Sequence, residues 1–249
     1  MSREKTSGAK RILPFVIIVG VLVAVVVGGV LALRKDEAKP PASNYTAPPS
    51  SGTTATQPAS SSSSSAPRRE SPGAQPPHMK GRQSAPVVLE EFGDYQCPPC
   101  GMMHPVLKKI SEDYGDRVAI IFRNFPLQKI HKNAFSASRA AEAAGMQGKF
   151  WQMNDLIYTN QKAWSDSAEP RPLFESYARQ LGLDIDKFKA DAEKPETVAR
   201  ILADFQRGDA LGVTGTPSIF LNGRQLPVES VLSEPRLRAD IDAALAAKK

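Results

Sequence analysis

Cysteine and histidine are scarce in this sequence of 249 residues, which contains two cysteines and three histidines. A disulfide framework of the kind that stabilises small exported domains normally uses four or more cysteines, and a structural zinc site needs four ligands. The composition therefore argues against a disulfide-stabilised fold and against an intrachain zinc site. We expect no bound metal.

An excess of positive charge is absent from the greater part of the chain, although the formal net charge is +6. Residues 1–84 carry a net charge of +7, whereas residues 85–249 carry a net charge of −1. The basic excess therefore belongs to the N-terminal third of the sequence and not to a folded surface. This distribution argues against a nucleic-acid-binding protein, and we expect no nucleic-acid partner.

Long apolar runs are absent except at residues 12–33, which contain no charged residue. At ~1.5 Å per residue this run can cross the ~30 Å hydrocarbon core of a bilayer. Lysine and arginine number four before the run and three after it, a slight bias toward a cytoplasmic N-terminus. We predict a short cytoplasmic segment (residues 1–11), a single transmembrane helix or signal anchor (residues 12–33) in a bacterial inner membrane, and a periplasmic or otherwise extracytoplasmic remainder.

A cleaved signal peptide is the alternative, because residues 30–32 have small side chains near a possible cleavage position. Either interpretation exports the rest of the chain. Residues 34–84 consist mainly of proline, serine, alanine, threonine and glycine, and they contain few large apolar side chains. Such a composition buries too little surface to offset the entropy of ordering, so we predict a disordered linker there and a folded domain at residues 85–249.

The hydrophobic pattern of the folded domain alternates between strand and helix signals. An apolar strand, a helix and a second apolar strand form a β-α-β unit, whose strands we expect to be parallel. Asn222 and Gly223 between two short apolar segments predict a hairpin turn. The predicted elements are strands at residues 87–92 and 118–122, a helix at 98–114, a helical block at about 131–211, hairpin strands at 218–221 and 225–228, and a final helix at about 234–247.

The two cysteines stand as Cys97-Pro98-Pro99-Cys100 between the first strand and the first helix. Two thiols at this spacing can close a disulfide and reopen it, which indicates redox chemistry. Cys97 lies at the predicted helix N-terminus, where the helix dipole and free backbone N–H groups stabilise a thiolate, so we predict that it is the nucleophile. Cys100 lies one turn deeper and is the predicted resolving thiol.

Three segments together carry a resemblance to a known family: residues 91–100 around the cysteines, Gly148-Lys149-Phe150-Trp151, and Gly215-Thr216-Pro217 before the hairpin. The sequence of residues 85–249 resembles the DsbA-like thiol-disulfide oxidoreductases of the thioredoxin-fold superfamily. The resemblance implies an α/β thioredoxin fold with a helical insertion, and here an N-terminal transmembrane helix and a disordered linker precede it. It also implies an enzyme whose only redox group is the Cys97–Cys100 disulfide, with no other cofactor.

The resemblance also assigns roles to three further residues. It implies that Glu91 is a buried carboxylate that carries protons to and from Cys100, that Pro217 is a cis proline beside the disulfide, and that Thr216 contacts the substrate. For Glu90, on the opposite face of the strand, we expect a solvated position. His104 lies four residues after Cys100, and we expect an exposed helix histidine there.

The implied partners are cysteine-containing exported proteins and a membrane redox protein, either a quinone-linked oxidase or an electron donor. Strongly oxidising members of the family have a histidine immediately before the second cysteine, where this chain has Pro99. We therefore expect a less oxidising disulfide. The alternatives are a disulfide reductase or isomerase, and a periplasmic copper-binding module that uses the two cysteines, His104 and the neighbouring Met102 and Met103.

Overall fold

A computed structural model of the protein describes residues 71–247. The predicted cytoplasmic segment, the predicted transmembrane helix and the linker up to residue 70 lie outside the described residues. No helix within residues 71–247 has the length and apolar character needed to cross a membrane.

The described residues form an α/β domain in which the predicted elements occur in the predicted order, with an additional strand before them and a short additional helix after the hairpin. The strands are β1 (His78–Lys80), β2 (Val87–Gly93), β3 (Val118–Asn124), β4 (Ser218–Leu221) and β5 (Arg224–Gln225). The helices are α1 (Pro98–Tyr114), α2 (Ala134–Gly145), α3 (Phe150–Thr159), α4 (Gln161–Trp164), α5 (Arg171–Gln180), α6 (Ile185–Glu193), α7 (Pro195–Ala210), α8 (Val228–Val231) and α9 (Glu234–Ala246). A 3₁₀ turn at Gly115–Arg117 joins α1 to β3.

The strands of the described domain form one sheet in the order β1-β3-β2-β4-β5. Strands β2 and β3 are parallel and are paired from Val87–Val118 to Gly93–Asn124, which confirms the predicted parallel β-α-β unit. Strand β4 runs antiparallel to β2 on its other side. Central strand β2 is therefore paired along both edges, and its residues are almost all buried. This position explains why charged residues of β2 end inside the protein.

The N-terminal boundary of the folded domain differs from the prediction. We expected the linker to continue to residue 84, but strand β1 pairs antiparallel with β3 through His78, Met79 and Lys80. The chain before β1 is also held in place, because Arg123 donates hydrogen bonds of 2.8 and 3.3 Å to the carbonyl oxygens of Ala74 and Pro72. Composition could not show this, since the β1 pairing and the bonds from Arg123 use the backbone of the predicted linker.

The predicted hairpin turn is present, with positive φ angles of 48° at Asn222 and 82° at Gly223. Two successive positive φ angles are the geometry for which an Asn-Gly pair is favoured. The second hairpin strand was predicted at residues 225–228, and this range is wrong. Strand β5 contains only Arg224 and Gln225, and Val228 begins helix α8. Pro227 has no backbone N–H with which to extend the ladder.

Three hydrophobic clusters pack against the sheet. Helices α1 and α9 cover one face, where Leu107 and Ile110 pack with Leu89 of β2 and Leu237 of α9. The helical block contributes a second cluster, which reaches Phe122 of β3 and in which Met153 and Ile157 are fully buried. The opposite face carries a third cluster, in which Phe92 and Phe220 pack with Phe205 of α7.

Two large apolar residues of the helices, Met102 and Leu202, are exposed. Met102 of α1 is 68% exposed, because the buried face of that helix runs through Cys100, Met103 and Leu107. Leu202 of α7 is 44% exposed, whereas its neighbour Ile201 is fully buried. In both cases the adjacent apolar residue, Met103 or Ile201, faces the interior of the protein.

Candidate active site

Cys97 occupies the N-cap position of helix α1, with φ −68° and ψ 120°. Pro98 and Pro99 fill the first two helical positions and have no N–H groups, so the first intrahelical hydrogen bond joins the Gly101 N–H to the Cys97 carbonyl oxygen over 3.1 Å. Both cysteines are reduced thiols in this structure. Cys97 is 6% exposed and Cys100 is fully buried, so only the first thiol reaches the surface.

The two thiols have opposite acidities. A hydrogen bond from Cys100 is the largest cause that lowers the pKa of Cys97 to about 6, with further contributions from Thr216 and from the Cys100 backbone, and together they outweigh burial. Burial raises the pKa of Cys100 well above its ordinary value, and the neighbouring Cys97 and Glu91 raise it further. At neutral pH the pair therefore consists of a thiolate at Cys97 and a protonated thiol at Cys100, as the predicted roles require.

The predicted substrate-contact loop lies directly beside Cys97. The Thr216–Pro217 peptide bond is cis, as the resemblance implied. The Cys97 thiol donates a hydrogen bond of 3.3 Å to the carbonyl oxygen of Thr216. While that thiol is protonated, the buried Thr216 hydroxyl has no hydrogen-bond partner among the described residues. Once the thiolate forms, the hydroxyl can turn and donate to it, which accounts for its lowering of the Cys97 pKa.

Glu91 lies on β2, on the face of the sheet that packs against helix α1. The residue is 5% exposed, and its Oε1 atom has no hydrogen-bond partner among residues 71–247. Burial raises the pKa of Glu91 to about 8. The charge of Glu91 also contributes to the raised pKa of Cys100, so the two groups interact electrostatically. A carboxyl that is neutral near pH 7 and adjacent to a protonated thiol has the properties of a proton carrier.

Glu90 contradicts the expectation of a solvated position. It is 7% exposed, and its carboxylate accepts hydrogen bonds of 2.8 Å from Arg123 and 2.7 Å from Arg207. Burial alone raises the pKa of Glu90, but the hydrogen bonds and charges of the two arginines outweigh burial and lower it. The expectation failed because β2 is a central strand that is covered on both faces.

Two residues that the sequence analysis did not identify hold the active-site loop. Buried Asp94 accepts hydrogen bonds from the backbone N–H groups of Gln96 at 2.7 Å and Leu127 at 2.8 Å, and it pairs with His131 at 2.8 Å. An aspartate two residues before the residue that it caps is a recognisable Asx-turn signal.

The second of these residues is Gln161, at the start of helix α4. Its side-chain amide donates hydrogen bonds to the carbonyl oxygens of Tyr95 at 2.7 Å and Cys97 at 2.9 Å. Gln161 therefore fixes the backbone on both sides of Gln96. No local sequence signal identifies it, because it is 64 residues from Cys97 along the chain.

His104 is not the exposed histidine that we expected. Its side chain is 15% exposed, pairs with Asp155 of α3 at 3.0 Å, and stacks on Tyr158. Within residues 71–247, no group of three or more cysteine, histidine, aspartate or glutamate side chains is arranged to hold a metal ion. Nothing in this region therefore adds a third such ligand to the two cysteines.

Comparison with known proteins places this site in a family. A family model described as Thioredoxin matches residues 74–243. A thioredoxin-like oxidoreductase from Silicibacter pomeroyi is 27% identical, with a TM-score of 0.55 over 67% of this chain and 90% of that one. The alpha-DsbA1 protein of Wolbachia pipientis is 21% identical, with a TM-score of 0.59 over 70% of this chain and 92% of that one.

A curated relative of a different kind is the Na⁺/H⁺ antiporter NhaA 1 of Mycolicibacterium gilvum, which is 35% identical over 152 residues. The match covers 59% of this chain but only 24% of the antiporter, so the chain spans about a quarter of that relative. The similarity therefore concerns one segment of the antiporter. With the family match and the solved structures, it leads to one assignment: the chain belongs to the thioredoxin family, and its described domain has the fold of the DsbA-like thiol-disulfide oxidoreductases.

Proposed function

We propose that the protein is a thiol-disulfide oxidoreductase that exchanges disulfides with cysteines of exported proteins through Cys97 and Cys100. The observation that carries this proposal is the asymmetry of the pair. Cys97 is acidic and reaches the surface at a helix N-terminus, whereas Cys100 is buried and has a strongly raised pKa. Family membership and the oxidoreductase among the similar structures support the assignment as an enzyme.

In the oxidising direction, a substrate thiolate attacks Cys97 of the Cys97–Cys100 disulfide. The enzyme disulfide breaks, a mixed disulfide forms between the substrate and Cys97, and Cys100 leaves as a thiolate that takes a proton. A second substrate thiolate then attacks the substrate sulfur of the mixed disulfide and displaces Cys97 as a thiolate. The substrate has lost two electrons and gained a disulfide, and the enzyme has become a dithiol. The low pKa of Cys97 makes it a good leaving group in the second step.

Glu91 supplies the proton that Cys100 needs and accepts it in the reverse reaction. Cys100 is enclosed by protein, so its proton cannot be exchanged directly with bulk water. Glu91 is the neighbouring group whose pKa, about 8, allows it to hold or release a proton near neutral pH. A catalytic acid or base works best when its pKa lies near the working pH.

The substrate-binding surface is the edge formed by Thr216 and Pro217. The backbone of Thr216 points its carbonyl oxygen at Cys97, so an extended substrate can lie along this loop with its cysteine at the thiolate. Beside Pro217 lies an open cavity of about 380 Å³ that is also lined by Leu226 and Val228. Val228 is 62% exposed, and it offers an apolar contact to a substrate side chain.

We also propose that residues 12–33 anchor the protein in the bacterial inner membrane and that the domain acts outside the cytoplasm. The apolar character of that segment supports the proposal, as does the similarity to one segment of an antiporter, which is a membrane transport protein. A membrane redox partner, either a quinone-linked oxidase or an electron donor, would then restore the working state of the cysteine pair. No antiport activity is proposed for this chain.

Trapping of substrates tests the proposed function directly. In the full-length protein, Cys100→Ser removes the resolving thiol and should accumulate mixed disulfides on Cys97, visible as adducts that a reductant dissolves. The matched control Cys97→Ser retains one buried thiol and should trap nothing. Equal trapping by both variants, or by neither, would contradict the assigned roles.

The equilibrium potential of the pair against glutathione then decides the direction. A potential in the range of about −180 to −120 mV is expected for an oxidase or isomerase, and one near −270 mV for a reductase. Because Pro99 replaces the histidine of strongly oxidising relatives, we expect a value below the oxidising end of this range. A protein that binds Cu(I) tightly but does not exchange with glutathione would be a copper-binding module.

A further inference from the structure

A small cavity of about 20 Å³ lies between strand β2 and helices α1 and α3. Glu91 forms its buried wall, whereas His104 and Asp155 line it with side chains that are 15% and 34% exposed. A polar cavity needs ≳10–15 Å³ to hold one water molecule, together with two or more polar partners. The cavity therefore has room for one water between a buried carboxyl and a pair that reaches the surface.

The polar atoms around the cavity are suited to such a water. Glu91 Oε1 is buried and has no hydrogen-bond partner among the described residues. On the other side, the His104 imidazole and the Asp155 carboxylate are joined over 3.0 Å. Asn154 also lines the cavity, but its amide already donates to the Tyr95 hydroxyl over 3.0 Å. Glu91 Oε1 is thus the buried atom that lacks a partner at this cavity, and the His104–Asp155 pair lines the same cavity.

We infer that a water molecule in this cavity connects Glu91 to the His104–Asp155 pair, and that the proton exchanged with Cys100 enters and leaves the protein by this route. This inference rests on the proposed function, because it extends the proton transfer from Glu91 to the solvent. His104 is a positioning and relay residue in this scheme, since it does not contact the reacting sulfur atoms.

The proton balance can be written for the reducing direction, in which Cys97 has already formed a mixed disulfide with a substrate. Glu91 in its carboxylate form accepts the proton of Cys100, and the resulting thiolate attacks Cys97 Sγ. The Cys97–Cys100 bond forms, the bond between Cys97 and the substrate sulfur breaks, and the substrate leaves as a thiolate with the electron pair. The proton on Glu91 passes through the water to His104 and then to solvent.

Other charged and titratable groups also face this region. Lys80 of β1 and Lys108 of α1 line the cavity, and Lys108 lies 3.6 Å from Asp155. On the inner side, Tyr95 and Tyr158 are both buried, and burial raises the pKa of each hydroxyl well above its ordinary value. The tyrosines therefore stay protonated near neutral pH. His104 lines the cavity, and its imidazole ring has one nitrogen that donates and one that accepts a hydrogen bond, which singles it out as a relay.

His104→Gln tests the route in the full-length protein. When the reduced protein is mixed rapidly with an aromatic disulfide, one coloured thiol is released as Cys97 attacks and a second as Cys100 resolves the mixed disulfide. We expect His104→Gln to slow the second release about tenfold near pH 7 and to leave the equilibrium potential unchanged. Added imidazole should restore the rate, because it can reach the outer end of the route as a free proton carrier. Asp155→Asn should slow the same phase by a smaller factor.

The matched control is His78→Gln. His78 also pairs with a carboxylate, Glu142, over 2.9 Å, but it does not line the cavity. The second phase should be unchanged in this variant. An unaltered second phase in His104→Gln would overturn the route, as would a slowing that imidazole does not reverse or that His78→Gln shares. If instead the wild-type protein releases no second thiol, the proposed function itself fails, and this outcome is distinct from failure of the route.

Discussion

Glu90 and Glu91 are neighbours on strand β2, point to opposite faces of the sheet, and are buried to almost the same extent, with 7% and 5% exposure. The pKa values of the two carboxyl groups are nevertheless shifted in opposite directions. On the face of Glu90, two guanidinium groups hold the carboxylate, and its pKa is lowered despite burial. On the face of Glu91, burial acts alone and raises the pKa to about 8. Burial therefore does not determine the charge of a carboxyl, whereas the presence of a partner does.

The two faces also differ in what the charge does. Glu90, Arg123 and Arg207 join β2, β3 and α7, and Arg123 extends the contact to Asp204 over 2.9 Å and to the chain before β1. On this face, permanently charged groups bind the N-terminal end of the folded domain, before β1. The other face keeps an unpaired carboxyl beside Cys100, and in the proposed function this carboxyl changes its charge during the chemistry. The variants below test this difference between a structural and a chemical carboxyl.

Glu90→Ala should have the largest effect on stability. It leaves the buried guanidinium of Arg123 without one of its two carboxylate partners and weakens the contacts of Arg207, so we expect the free energy of unfolding to fall by about 3 kcal/mol. Urea denaturation near pH 7 measures the change. Glu112→Ala, an exposed site on α1, is the control and should change little. A loss of stability equal to that of the control would mean that the ion pairs of Glu90 do not stabilise the folded protein.

Glu91→Gln should have the opposite effect and raise the free energy of unfolding near neutral pH. The folded protein retains the Glu91 proton up to about pH 8, whereas the unfolded chain releases it near 4.5, so wild-type stability falls as pH rises between these values. The variant has no such titration and should be more stable than the wild type near pH 7, by roughly 3 kcal/mol. Near pH 4.5 the difference should almost vanish.

Denaturation of both reduced proteins at several pH values provides the measurement for Glu91. If the stability difference does not change with pH, Glu91 is ionised in the folded protein and cannot carry protons as proposed. A variant that is less stable than the wild type at every pH would instead indicate a hydrogen bond or ion pair that holds the charged form.

The third test concerns the pH dependence of Cys97. A thiol whose pKa is about 6 is mostly thiolate at neutral pH, so alkylation of Cys97 should proceed at a constant rate above that value and fall about tenfold for each pH unit below it. Cys100→Ala removes the largest cause of the lowered pKa and should move the profile to higher pH. A profile that keeps rising toward the ordinary thiol value of 9.0 would contradict the assignment of Cys97 as the nucleophile.

Glu90 and Glu91 also differ in how much of their surroundings could be predicted from the sequence. The family motif correctly predicted that Glu91 is buried and that Thr216–Pro217 is cis beside the cysteines. For Glu90 the sequence offered no partner, because Arg123 and Arg207 lie 33 and 117 residues away along the chain. Contacts at such separations depend on the fold and not on local pattern.

The same limit explains the wrong domain boundary. The chain before β1 has the composition of a linker, and it is ordered because side chains from β3 and α7 bind its backbone oxygens. Arg207, for example, donates a hydrogen bond of 3.0 Å to the carbonyl oxygen of Ser71. By contrast, the Asn222–Gly223 turn and helix α1 were predicted correctly, because a turn geometry and a helix start depend on adjacent residues.

Thr216→Val should give the smallest of these effects. The substitution keeps the shape of the side chain but removes the hydroxyl that lowers the pKa of Cys97, and one hydrogen bond to a charged group contributes about 1.5–3 kcal/mol. We therefore expect the Cys97 alkylation profile to move toward higher pH, while the domain keeps its stability, since the hydroxyl has no other partner among residues 71–247. Thr214→Val, two residues away at an exposed position, is the matched control and should leave the profile unchanged. Because Cys100 and Thr216 act on the same thiolate, the double variant Cys100→Ala/Thr216→Val separates their contributions. A Thr216→Val profile identical to that of the wild type would leave the Cys100 hydrogen bond, and not the cis-proline loop, as the source of the acidity of Cys97.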